Sequence, residues 1–190
     1  MMGHRFHPKH VDKLLNADRQ KLLPHTAILE RLDVQESHVV ADVGCGPGYF
    51  TIPMAQRCTT VYGVDVSPEM LDMLSKRAAE AGLTNVRSVT APAERVPLPD
   101  HRMDRVLCAF VLHEVDDLDK TVEEFDRLLK PSGKLMVIEW EKKPMEMGPP
   151  FVERLERAEL TTRMQNAGFH TELWGINPYH YAVIAEKVEE

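Results

Sequence analysis

The chain has 190 residues, 43% of them hydrophobic and 28% charged, with a net charge of -7. That composition suits one compact domain with its own core, and the acidic balance argues against a general nucleic-acid binder, which needs a basic face for phosphates. No apolar run reaches the length of a membrane span, and the opening Met1-Met2-Gly3-His4-Arg5-Phe6-His7 has no apolar stretch of a signal peptide, so the cytoplasm is the expected compartment. Cys45, Cys58 and Cys108 are scattered, as suits reduced thiols rather than a disulfide framework or a zinc site.

In chain order, His4, His7 and His10 recur at every third position, but Pro8 interrupts them and the arm reads as polar, so no metal site is expected. Val11 to Leu23 has a partial apolar stripe at helical spacing; Pro24 then opens a second helix carrying Ala27, Ile28, Leu29 and Leu32 to about Asp33. Val39 to Val43 reads as a buried strand that runs into Gly44-Cys45-Gly46-Pro47-Gly48-Tyr49-Phe50. Glycines at every second position let a ligand approach the backbone and permit a sharp strand-to-helix turn. Asp42 sits where a phosphate loop would place phosphates. Like charges repel, so a carboxylate there suits a ligand with a cationic centre or an amino group.

Phe50 to Arg57 is the expected first crossover helix, and Thr59 to Val64 the second strand, ending at Asp65. A carboxylate at that strand tip is placed to accept hydrogen bonds from two ribose hydroxyls. Ser67-Pro68-Glu69 supplies cap, first-turn proline and first-turn acid for a helix to Ala81, which Gly82 ends. Val86 to Val89 is the third strand and precedes Thr90-Ala91-Pro92-Ala93-Glu94-Arg95-Val96-Pro97. Met103 to Leu112, with Phe110 near its end, is the fourth strand and leads into His113-Glu114-Val115-Asp116-Asp117. His113 is the candidate for the substrate side, as general base or hydrogen-bond partner; the alternative is a structural loop histidine.

Asp116 or Asp117 can cap a helix with Leu118, Val122, Phe125, Leu128 and Leu129 on its core face. Lys130-Pro131-Ser132-Gly133 turns the chain into a fifth strand, Gly133 to Trp140, whose Glu139 and Trp140 could reach the pocket. Lys142 to Pro150, rich in Met, Pro and Gly, reads as an active-site loop. A helix over Phe151 to Ala167, a strand over Thr171 to Gly175 and a final strand over Tyr181 to Lys187 complete the chain. Two strands joined by so short a loop must pair antiparallel.

Asp42-x-Gly44-x-Gly46-x-Gly48 resembles motif I of the class I S-adenosylmethionine (SAM) dependent methyltransferases, and the resemblance runs from about Val39 to the C-terminus. Ala93, Glu94 and Pro97 match the Gly-Asp-Ala-Glu-x-Leu-Pro-Phe pattern of such enzymes, whereas Pro92 stands where they carry an acid for the adenine amino group. The Leu-Lys-Pro-x-Gly turn and the reversed last strand also match. The overall pattern is similar to the small-molecule branch, which includes ubiquinone- and menaquinone-biosynthesis enzymes.

The resemblance implies SAM as cofactor and a small-molecule methyl acceptor, with no nucleic-acid partner. Asp42, Gly44, Gly46 and Gly48 would take the methionine end, Asp65 the ribose and the Ala93–Glu94 segment the adenine, with Cys45, Val66 and Phe110 also among the cofactor-binding residues. It implies a lid from residues 1–36, with Arg5, Phe6, His7, Tyr49 and Trp140 on the substrate side, over a domain at 37–190. The expected fold is α/β: a doubly wound, Rossmann-like, seven-stranded and mostly parallel sheet whose last strand is antiparallel. Two rival readings remain at this level, an NAD-dependent oxidoreductase and a non-catalytic SAM-binding regulator. The first usually spaces its third glycine three residues after the second, while here Gly48 follows Gly46 by two.

Overall fold

The structure, a computed structural model, describes Leu15 and residues 17–187. Two short helices, α1 (Ala17–Leu22) and α2 (His25–Arg31), lead into β1 (Val39–Val43). Then follow α3 (Thr51–Ala55), β2 (Thr60–Asp65), α4 (Pro68–Glu80), β3 (Val86–Thr90), β4 (Met103–Ala109), α5 (Leu118–Leu128), β5 (Leu129–Trp140), α6 (Arg157–Asn166), β6 (Phe169–Asn177) and β7 (His180–Lys187). The seven strands form one sheet in the order β3-β2-β1-β4-β5-β7-β6. Strands β1 to β5 run parallel, and β7 lies antiparallel to both β5 and β6. The expected doubly wound sheet with a reversed last strand is therefore present.

Alternate residues of each central strand face opposite sides, and each side has its own core. Ala41, Val106, Cys108, Leu135, Val137 and Val183 pack with Val122, Phe125 and Leu128 of α5 and with Leu160 and Met164 of α6. On the other side Val40, Leu107, Met136, Ile138, Ala182 and Ile184 pack with Leu23, Ile28, Leu29, Leu32 and Met54. The helices before β1 thus share a core with the centre of the sheet. The first fourteen residues, including Arg5, Phe6 and His7 and the His4, His7, His10 spacing, lie outside the described residues.

Several boundaries differ from the sequence expectation. The fourth strand stops at Ala109, because Phe110 takes a positive φ of 62° and a short 3-10 turn, Leu112–Glu114, follows. The apolar run to Leu112 hides that break. The first crossover helix shrinks to five residues. The helix expected over 151–167 is a 3-10 turn, Phe151–Glu153, then α6. Between them Arg154 is extended and turned inward, donating to the carbonyls of Pro149, Lys143 and Met147 at 2.9, 2.6 and 2.8 Å. The Lys130-Gly133 turn survives as a bulge inside β5: Met103 pairs with Leu129 and Arg105 with Lys134.

Candidate active site

The carboxyl ends of the parallel strands meet at the glycine loop, which is where an open α/β sheet places its ligand site. Gly44, Gly46 and Gly48 all have positive φ, 74°, 52° and 88°. A Cβ on Gly44 would stand 2.1 Å from Val111 Cγ2, and one on Gly48 2.4 Å from Leu74 Cδ1, so both positions exclude any side chain by packing as well as by φ. The loop is pinned from outside. Gly44 and Cys45 N–H donate to the Val64 carbonyl at 2.7 and 2.9 Å, and the Arg77 guanidinium donates to the Pro47 carbonyl. Cys45 is buried beneath the loop, and burial, with Asp42 and Asp65 nearby, pushes its thiol well above the usual range.

Two carboxylates converge on this loop. Asp65 ends β2 and accepts from Gly46 N–H at 2.8 Å through Oδ2 and from Ser67 N–H at 2.9 Å through Oδ1. Asp42 is buried in β1 and accepts from the Thr51 hydroxyl at 2.6 Å. Burial raises its pKa to about 7, with the Asp65 charge adding to the rise and the Thr51 bond and Arg19 opposing it. Thr51 opens α3, so that helix start serves to hold the Asp42 carboxyl. Val66, next to Asp65, is 41% exposed, an apolar side chain left at the rim. From β3 the chain returns to the same place: Ala91 N–H donates to the Asp65 carbonyl at 3.1 Å. Ala93 is buried, and Glu94 accepts from Asp116 N–H at 3.1 Å, tying this segment to the chain after β4.

The other half of the site is aromatic. Phe110, Trp140 and His180 pack ring to ring, with centroids 5.3, 5.2 and 4.5 Å apart for the pairs Phe110–Trp140, Phe110–His180 and Trp140–His180. The Arg19 guanidinium of α1 lies over Tyr49 at 4.7 Å and over Phe110 at 5.2 Å. Tyr49 donates its hydroxyl to the Leu23 carbonyl at 2.8 Å, so the glycine loop and the α1–α2 junction are joined through it. Trp140 is also covered by Gly148, where a Cβ would meet its ring at 2.7 Å. The loop that carries Gly148 walls a hollow of about 440 Å³ with Lys143, Met145, Phe151 and Arg154, and no residue of the Gly44–Gly48 loop lines it.

His113 is buried against Glu139 of β5, with Nδ1 2.9 Å from Oε2, and its Nε2 lies 3.6 Å from Glu114 Oε1. Burial alone would lower its pKa, but the Glu139 charge and the contacts with Glu114 and Glu139 outweigh it and raise the value to about 10. The ring is held as an imidazolium, a geometry that suits a positioning part better than a general base. Sequence reading named Glu139 and His113 separately; their pairing across 26 residues has no local signal. Arg19, Arg154 and His180 carried no motif and were missed outright.

The sequence profile described as "Methyltransferase domain" matches residues 41–137, from within β1 through most of β5. Among relatives, the chain is 32% identical over 136 residues to a demethylmenaquinone methyltransferase of Geobacillus sp. (strain WCH70), covering 69% of this chain and 58% of that protein. It is 29% identical over 130 residues to the uncharacterized methyltransferase YcgJ of Bacillus subtilis (strain 168), covering 68% and 51%. The chain thus spans a little over half the length of these curated relatives. A solved SAM-dependent methyltransferase from Aquifex aeolicus superposes with a TM-score of 0.89 at 28% identity, over 97% of this chain and all of that one. With the profile spanning half of the chain and the sheet order in place, the chain belongs to the methyltransferase-domain family of class I SAM-dependent methyltransferases.

Proposed function

We propose that the protein binds SAM at the glycine loop and transfers its methyl group to a small-molecule acceptor. The observation that carries the cofactor reading is the pair of carboxylates, Asp42 and Asp65, held at the loop with the Asp42 carboxyl raised partly by its neighbour. Beyond the Arg19 guanidinium that faces Asp42, such a pair favours a further cation, and SAM brings two, an ammonium and a sulfonium. Asp42 and the glycine amides would hold the methionine end. Asp65 retains lone pairs for ribose hydroxyls beyond the two amides it accepts from. Exposed Val66 and the Ala93–Glu94 segment offer an apolar edge and backbone for adenine, in place of the acid that Pro92 lacks.

SAM, when bound, supplies a methyl already activated as an electrophile on sulfur. The chain has to align an acceptor with it and keep water out. Tyr49, Phe110 and Trp140 furnish a dry wall for that, with residues 1–36 as the lid; Arg19 lying on Tyr49 and Phe110 supports the lid assignment. In this reading His113 positions the end of β4 through Glu139. The acceptor is small: the net charge of -7 disfavours nucleic acid, and relatives named for demethylmenaquinone make reduced quinones the first acceptors to try. The three free cysteines support a cytoplasmic site of action.

Calorimetry with SAM, S-adenosylhomocysteine and NAD tests the cofactor: the first two should bind and NAD should not. Binding of NAD alone would overturn the reading. Labelled-methyl transfer over a panel of quinols, phenols, thiols and amines tests the activity, and tight SAM binding with no transfer to any of them would favour a regulatory protein.

A further inference from the structure

Strands β2 and β3 run parallel with Asp65 paired to Thr90, and the next bond of the ladder is Ala91 N–H to the Asp65 carbonyl at 3.1 Å. Val66 and the stretch Ala91-Pro92-Ala93 therefore leave the sheet from adjacent strand ends, where the base of a nucleoside would lie once its ribose is on Asp65. The side chains there are apolar: a valine, two alanines and a proline. Val66 is one of the few large apolar side chains left exposed among the described residues, and Pro92 is exposed as well, whereas Ala91 and Ala93 are buried. The polar groups of this stretch are largely spent. The Asp65 and Pro92 carbonyls accept from Ala91 and Arg95 N–H at 3.1 and 3.3 Å, Pro92 has no N–H, and the Asp65 carboxylate already accepts from Gly46 and Ser67 N–H. The next carboxylate along the chain, Glu94, accepts from Asp116 N–H at 3.1 Å, on the side of the segment that follows β4.

We propose that the site holds the purine of SAM by shape and leaves its 6-amino group unread, so that SAM analogues altered at purine position 6 are accepted about as well as SAM, with Pro92 as the residue that sets this tolerance. This rests on the SAM-binding reading above. Val66 and Pro92 both lose water on contact with a flat base, a gain that does not depend on what position 6 carries. Recognition of the amino group by a fixed carboxylate behaves differently. A site built to accept that hydrogen is left with a desolvated, unpaired acceptor when the analogue lacks it, and it discriminates strongly. The side chains of Val66, Ala91, Pro92 and Ala93 hold no such acceptor. The backbone of Ala93 remains for a ring nitrogen, which substitution at position 6 leaves in place. Pro92 supplies a packing surface, and a proline there removes both a side-chain acceptor and a backbone donor.

The test is calorimetry on the full chain with S-adenosylhomocysteine, its 6-deamino analogue and its 6-dimethylamino analogue as probes. The deamino analogue keeps the ring nitrogens and loses only the amino group; the dimethylamino analogue has no hydrogen left to donate. All of them should bind the wild type within about fivefold of one another. Pro92→Asp places a carboxylate at an exposed position. With its melting temperature close to wild type, it should gain a preference of about tenfold or more for S-adenosylhomocysteine over either analogue. Val66→Ser removes packing and no hydrogen bond, so it should weaken all the probes by one common factor. A wild-type preference for S-adenosylhomocysteine over the deamino analogue larger than about fivefold would overturn the proposal, because an acceptor then reads the amino group. A folded Pro92→Asp variant with an unchanged preference would remove Pro92 from its specificity-determining place. Failure of S-adenosylhomocysteine itself to bind would overturn the cofactor reading beneath the proposal, a result distinct from either of these.

Discussion

Asp42 gives the loop a pH dependence whose sign can be worked out. Its folded pKa is raised to about 7 by burial, against 3.8 ordinarily, so the folded chain keeps a proton that the unfolded chain has released. Asp42 therefore costs stability progressively as pH climbs from about 4 to 7, and Asp42→Asn should flatten that part of the urea-unfolding profile. The same carboxyl, once ionised, favours a cationic ligand. SAM affinity should rise between pH 6 and pH 8, with proton release at pH 6, and Asp42→Asn should abolish both in calorimetry; an unchanged pH dependence in the variant would remove Asp42 from the site. His113 behaves oppositely. Its folded pKa is raised to about 10, so its contribution is fully present below its unfolded value of 6.5 and is lost as pH rises through 10. His113→Gln should cost about 3 kcal/mol or more at pH 6, since it leaves Glu139 buried without its cation, and much less at pH 11. Asp42, Asp65 and the glycines were legible because their chemistry is local to one loop. His180 and Arg154 were not, because what marks them is absent or distant partners, which no spacing encodes.

At the scale of elements, the strands of the central sheet were legible because buried parallel strands read as short apolar runs. The same property misplaced the end of β4: Phe110, Val111 and Leu112 are as apolar as the strand, yet they turn away from it so that Val111 can fill the space above Gly44. Gly44→Ala should cost more than about 2 kcal/mol, combining the left-handed backbone with the clash on Val111. In a double-mutant cycle with Val111→Ala, the clash should be recovered as a coupling energy while the backbone cost remains. The segment after β5 was misread for a different reason. Arg154 looks like one more exposed helix residue, but its guanidinium holds the carbonyls of Lys143, Met147 and Pro149. Arg154→Gln should release that loop, increasing tryptic cleavage after Lys142 severalfold while the melting temperature changes little; unaltered cleavage would deny Arg154 its part as the loop's anchor.

For the whole molecule, the fold rests on two large cores separated by the sheet, with a smaller cluster of Cys45, Leu71 and Leu74, and the segment before β1 belongs to one of the large ones. Leu29 is fully buried among Val40, Met136 and Ile184 as part of that core. Leu29→Ala should destabilise the entire domain by about 2–5 kcal/mol in a single unfolding transition. A separate early transition for the helices would indicate that they dock as an independent flap. The sheet order carries a consequence for biosynthesis. Strand β7 is the last of the seven to be made, yet it lies between β5 and β6. On the ribosome, β6 has no strand to pair with until β7 has emerged, and β5 keeps an open edge for as long. His180 and Tyr181 arrive with that same strand. A nascent chain can therefore assemble the glycine loop early, but the aromatic half of the site is completed only when β7 is inserted, so closure of the sheet and completion of the site are one event.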